Sequence, residues 1–237
     1  MEAIAINIGA NTNEPGFRGP VWPDGSFEYI PIPESEPTAS EVPTYGDLAP
    51  TLSTEIPAEL RATPVHLDPE FPGYPFCERY TYGDEHGVKA GPLSTLSAGD
   101  YVFFYATLTV AEPTAWLPPT WGAFLVGHFK LARDPVTAYR DLPEAEREPF
   151  DNNAHVKRDP FDARVLLLGQ ADSSRLYERA VPLSRPSGGT DPNWLVTDCS
   201  DDSGRGPWWR RPLGFDAPEL LEATDGPPPR TDWYQPR

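Results

Sequence analysis

The chain has 237 residues, 38% of them hydrophobic and 12% aromatic, which is enough to bury a sizeable core and too apolar for a disordered polymer. Thirty-six acidic residues face 19 Lys plus Arg, a formal net charge of −17, and the only lysines are Lys89, Lys130 and Lys157. No apolar run reaches the length of a membrane-spanning helix, and Cys77 and Cys199 stand far apart, without the spacing of a zinc knuckle or the density of a disulfide scaffold.

Residues Glu2 to Ile8 are β-prone and alternate, which predicts an opening strand. A turn-rich stretch, Asn7 to Gly25, follows, and Ser26 to Pro33 reads as a second strand. Glu34 to Glu59 is acidic and rich in Pro and Thr, the composition of a surface loop or flap. RATPVHLDPEF then carries a short β-like piece towards Thr81–Asp84. The Gly99-Asp100 turn leads into Tyr101–Val110, and Trp121–Ala132 follows a Pro-rich break; both are aromatic and β-branched runs that predict neighbouring antiparallel strands. Phe103, Tyr105, Leu125 and Phe129 are expected to face packed surface. Pro135 to Glu148 suits a short acidic helix interrupted at Pro143, Ala163 to Gly169 a buried strand, and ADSSRLYERAVPL a short helix capped by Asp172 or Ser173. With 31 prolines opposing long helices, the expected class is α+β: a mixed, mainly antiparallel sheet with few short helices and long Pro-rich loops. Residues 1–202 are expected to form one domain, with 203–237 as an extended tail docked on it by its tryptophans.

Three polar segments are candidates for chemistry. Asn7–Gly25 holds Asn7, Asn11, Arg18 and Asp24 among glycines directly after a strand, where exposed backbone N–H groups and a forked guanidinium suit phosphate or base contacts. The plain alternative is a wide turn. His66 and Asp68, two apart on a β-like piece, share a face and suit an acid–base pair, with Glu70 and Tyr82 close by in sequence; a structural His bonding a loop carbonyl is the plain alternative. They fall short of a metal site, which needs a third ligand, so no metal and no cofactor are expected. Asp151–Phe161 gathers Asn153, His155, Lys157 and Arg158, a basic and amide patch against the general charge bias, or else a surface turn with chance bases. His86 and His128 read as structural. No P-loop, dinucleotide fingerprint, GxSxG or HExxH occurs.

A diffuse acidic excess with almost no lysine resembles the proteins of salt-in halophilic archaea. At molar salt the Debye length falls to about 3 Å and self-repulsion fades. The non-specific ionic part of DNA binding is also lost there, so acidity does not exclude a nucleic-acid partner that is held by stacking and a few placed arginines. The opening MEAIAINIGA lacks the basic and apolar regions of a signal peptide, which points to the cytoplasm and away from the membrane.

The segments INIGANTNEPGFRGPVWPDGSFEYIPIPE, HLDPEF, TYGD, GDYVFFYATL, AFLVGHFKL and NNAHVKR together resemble the nucleotide modification associated domain 3 family, over roughly residues 4 to 180. That resemblance implies a setting in DNA modification and restriction. GDYVFFYATL followed by FLVGHFKL is also similar to the EVE and ASCH members of the PUA-like superfamily, which implies a barrel-like sheet and an aromatic pocket for a modified base. Three functions stay open. The first is a reader of a modified nucleotide or DNA, using Tyr105, Trp116 and Trp121 for stacking and Arg18, Asn153 and Arg158 for polar contacts. The second is an enzyme with His66, Asp68 or His155 as acid–base residues, and the third is a structural subunit with protein partners in a defence complex. Convergence of Arg18, His66, Asp68, Asn153, His155 and Arg158 on one cleft is the expectation that would join the three segments.

Overall fold

The two runs richest in aromatic and β-branched residues form the longest strands of the structure, a computed structural model that describes residues 1–225. In chain order the strands are β1 (Glu2–Asn7), β2 (Pro20–Val21), β3 (Ile32–Pro33), β4 (Val65–His66), β5 (Thr81–Asp84) and β6 (Tyr101–Val110), then β7 (Trp121–Lys130), β8 (Val165–Leu168), β9 (Arg175–Pro182), β10 (Ser184–Arg185), β11 (Gly188–Pro192) and β12 (Leu213–Asp216). The helices are short: α1 (Tyr45–Leu48), α2 (Gly87–Leu93), α3 (Glu144–Arg147), α4 (Ala154–Lys157), α5 (Trp194–Thr197) and α6 (Ala217–Ala223). The chain divides into two compact units. The first comprises Met1–Ile30, Asp100–His128 and the residues from Leu176 onward; the second comprises Pro31–Gly99 and Phe129–Arg175.

The first unit is built on a sheet of order β12-β1-β6-β7-β9, with β2 also paired to β6. Strand β1 lies parallel to β6, Ala3 opposite Tyr101 and Asn7 opposite Tyr105, and antiparallel to β12, Glu2 opposite Asp216. The sheet is mixed and mostly antiparallel, as its class predicts, but it is not closed into a barrel. Closure requires the two outermost strands to pair, and here they are β9 and β12, each with a single neighbour in the sheet. The first eight residues of β6 and the middle eight of β7 are all buried. Both faces are covered, which is why these runs are apolar almost throughout, Thr107 and His128 apart, rather than alternating.

One reading of this unit is corrected. ADSSRLYERAVPL is not helical: from Arg175 to Pro182 it is β9, with Tyr177 and Ala180 buried and Arg175, Glu178 and Arg179 exposed. The open side of β7 offers backbone partners to that segment, and tertiary pairing overrides its weak helical preference. In the stretch from residue 203, Trp208 is fully buried with its indole N–H donating to Thr190 O at 2.9 Å, and Leu213–Asp216 joins the sheet as β12. The GPPPR and WYQP motifs lie outside the described residues.

The second unit holds two small antiparallel ladders, β3 with β4 (Ile32 opposite His66) and β5 with β8 (Thr81 opposite Leu168). Val136, Phe150 and Leu166 form one core, and Phe71, Tyr80 and Phe129 pack edge to face at 5.3–6.4 Å. The predicted strand Ser26–Pro33 shrinks to β3 and an isolated bridge between Val21 and Phe27. The acidic stretch 34–59 is anchored rather than flap-like. Thr44 and Asp47 cap α1 reciprocally, Tyr45 and Leu48 are fully buried, and the Tyr45 hydroxyl donates to Pro31 O at 2.8 Å. No helix among the described residues is long and apolar enough to cross a membrane.

Candidate functional site

Pairing of β3 with β4 brings Glu34, the residue after β3, against His66, whose Nδ1 lies 2.6 Å from Glu34 Oε2. Beyond the turn at Asp68, β5 runs past helix α4, and Gly83 and Asn153 grip the carboxylate. The Gly83 N–H donates to Asp68 Oδ1 at 2.9 Å and the Asn153 amide donates to the same oxygen at 2.7 Å. Asn153 also caps α4, accepting from the His155 N–H at 3.0 Å. A Cβ on Gly83 would stand 2.7 Å from the His155 ring, so only glycine admits this approach. His155 Nε2 lies 3.8 Å from Asp68 Oδ2, and the two imidazoles stand edge to face with centroids 4.8 Å apart.

Arg158 ties the cluster together. Its Nε and Nη2 reach Glu34 Oε1 at 3.0 and 2.8 Å, and its Nη1 reaches Asp162 Oδ2 at 2.6 Å and Glu85 at 3.3 Å. Asp162 in turn holds His155 Nδ1 at 2.7 Å. His66, Asp68, His155 and Arg158 are each no more than 7% exposed. Burial raises the Glu34 carboxyl, but hydrogen bonds from His66 and Arg158 outweigh it and leave the group at about 2. Hydrogen bonds with Glu85, His155 and Arg158 do the same for Asp162, also at about 2. Burial, reinforced by nearby His66 and Arg158, lowers His155 to about 4, which leaves a neutral imidazole at pH 7. Burial pushes Asp68 well above the usual carboxylate range, against the hydrogen bonds from Gly83 and Asn153.

Five of the six residues expected to converge therefore do so, all in the second unit. Asn153 and Arg158, read from the sequence as nucleotide contacts, are both engaged by the protein itself. Asn153 is fully buried, with Asp68, Thr81 and the His155 N–H as its partners, and Arg158 is already matched by three carboxylates. Tyr82 is buried on β5, its hydroxyl donating to Asp84 Oδ2 at 2.6 Å. Glu34 and Asp162 were missed. One heads a run that reads as loop, and the other gave only its i,i+4 spacing from Arg158 as a signal.

Arg18, the sixth residue, belongs to the first unit. Its Nε donates to Thr107 Oγ1 at 3.2 Å and its guanidinium lies over the Trp121 ring, 4.5 Å from the centroid. Arg18 lines a cavity of about 210 Å³ with Asn7, Asn11, Asn13, Thr107 and Arg210, and Trp209 completes the wall. Thr107 and Arg210 were not anticipated, although Thr107 is the one residue without an aromatic or aliphatic side chain in Tyr101–Leu108. The other aromatics proposed for stacking are already engaged. Tyr105 is fully buried with its hydroxyl donating to Arg211 O at 2.6 Å, Trp116 donates to Pro23 O at 3.0 Å, and Trp121 lies under Arg18 and against Trp209. Asp24 accepts from the Ser26 backbone and hydroxyl in a turn, and His128 pairs with the Tyr177 hydroxyl at 2.8 Å.

The fold and these two sites define an α+β protein with a polar, arginine-bearing cavity in one unit and a buried His–carboxylate network in the other. The chain belongs to the family described as nucleotide modification associated domain 3, whose model matches residues 2–226. No curated protein and no solved structure matches it.

Proposed function

We propose that the chain binds a nucleotide or modified base within a DNA-modification or restriction system, through the Arg18 cavity of its first unit. The observation that carries this reading is the guanidinium of Arg18, set between Thr107 and the Trp121 face in a cavity that also holds Arg210 and three asparagines. Two cations concentrated in a chain of net charge −17 favour an anionic ligand, and Arg presents a planar fork to phosphate. The asparagine amides offer both donors and acceptors to a base edge. The cavity is smaller than the roughly 300–1,000 Å³ of sites that enclose drug-sized ligands, which suits one nucleotide head and not a stretch of duplex. Other proteins of the same system are further partners on this reading.

The test is calorimetric titration of deoxynucleoside monophosphates, ordinary and modified, into the protein at high KCl. A charge-assisted contact is worth about 1.5–3 kcal/mol, so Arg18→Ala weakens binding by about 10- to 100-fold while the circular dichroism stays unchanged. Equal affinity in the variant, or no binding by the wild type, overturns the proposal.

A second reading, a base- or nucleotide-modifying enzyme, is favoured by one observation: the His155 imidazole lies 3.8 Å from the Asp68 carboxyl, which burial shifts above the usual carboxylate range. New products in the same incubations, abolished by His66→Ala, would distinguish it from a reader.

A further inference from the structure

The His66–Asp68–His155 cluster has the donor set of a metal centre, and we propose that it binds one divalent first-row transition-metal ion, with two imidazoles and one carboxylate as ligands. This inference is independent of nucleotide binding at Arg18. One ligand atom from each residue lies within 4.8 Å of the others. Ligands of a tetrahedral ion at about 2.0–2.1 Å stand roughly 3.4 Å apart, so a contraction of up to about 1.4 Å closes the site. The sequence leaves the His66–Asp68 pair one ligand short, and the fold supplies it from α4, with Gly83 making room for the ring.

The orientation of the rings is the stronger argument. Each imidazole has its Nδ1 on a carboxylate, His66 on Glu34 at 2.6 Å and His155 on Asp162 at 2.7 Å. An ionised acceptor places the proton on Nδ1 and leaves Nε2 as the atom with a lone pair. Carboxylate-backed histidines of this kind hold metals in a fixed tautomer. Arg158 contacts the same Nδ1 edges, at 3.4 Å from His66 and 3.5 Å from His155, so its charge sits behind the rings. Glu34 and Asp162 against the single Arg158 already leave a surplus of negative charge, and Asp68 adds to it on giving up its proton to become a ligand, a surplus that a divalent cation offsets. Imidazole and carboxylate together suit zinc or ferrous iron better than calcium or magnesium, and three protein ligands leave a position for water or substrate, as in catalytic centres. Asp162 and Glu85, with side chains 22% and 33% exposed, mark the side where the cluster meets solvent.

A rival set, Glu85, His155 and Asp162, shares only His155. The experiment uses untagged, chelator-stripped protein titrated with Co²⁺ under visible absorption, then with Zn²⁺, Fe²⁺ and Mg²⁺ in competition. One Co²⁺ per chain is expected, displaced by Zn²⁺, by Fe²⁺ only in excess, and not by Mg²⁺. Loss of a ligand exceeds the roughly 10- to 100-fold effect of losing an outer-shell partner, so Asp68→Asn and His66→Gln fall by about 100-fold or more, while Glu85→Gln stays near wild type. X-ray absorption of the zinc-loaded wild type decides the matter even if those variants fail to fold. Two imidazoles support the proposed set. One imidazole, or no binding of Co²⁺ or Zn²⁺ by the wild type, overturns it.

Discussion

Asn153 shows how much one side chain can organise. Its carbonyl oxygen caps α4 through the His155 N–H, and its amide donates to Asp68 and to the Thr81 hydroxyl at 3.1 Å, all away from solvent. Truncation to Ala removes a helix cap and leaves buried acceptors without that donor, a loss of about 2–4 kcal/mol in urea unfolding. A change below about 1 kcal/mol would mean that the network closes up without it. At this scale the sequence was informative about residue type but not about role. NNAHVKR stood out as polar and basic, but the asparagine and arginine that looked available for a ligand are held by the protein itself. Contacts such as Arg158 to Glu34 join positions 124 apart, and no local spacing encodes them.

Among the elements, β6 and β7 were legible because burial on both faces leaves only Thr107 and His128 as polar interruptions of their buried runs. Strand β9 was not, because its exposed Arg and Glu residues are equally good on a helix surface and only the edge of β7 decides the matter. Strands β3 and β4 have two residues each, too short for any period, and yet they place Glu34 and His66. Helix α1 was missed inside a run that reads as loop, although Thr44 and Asp47 spell out a reciprocal cap, Thr44 N to Asp47 Oδ2 at 2.8 Å and Asp47 N to Thr44 Oγ1 at 3.3 Å. Thr44→Ala is expected to cost about 1 kcal/mol, read as a lower urea midpoint at unchanged slope. No change at all would mean that Tyr45 and Leu48 hold this segment without the cap.

For the whole molecule, the charge of −17 makes stability a function of salt. The Debye length is about 30 Å at 0.01 M and about 3 Å at 1 M, so concentrated salt removes long-range self-repulsion. The melting temperature should therefore rise between about 0.05 M and about 2 M KCl; a flat profile would show that surface repulsion is not limiting. That expectation needed only composition, whereas the path of the chain could not be read from composition at all. Strand β1 takes one neighbour 98 residues downstream, in β6, and the other from Leu213–Asp216. A ribosome adding about 5–20 residues per second makes β1 and then leaves it without β6 for about 5–20 seconds. Its second side stays bare until nearly all the described chain has been translated. An apolar strand with unpaired N–H and C=O groups invites pairing with other chains, so for most of its synthesis the nascent polypeptide carries an adhesive edge that the finished sheet no longer shows.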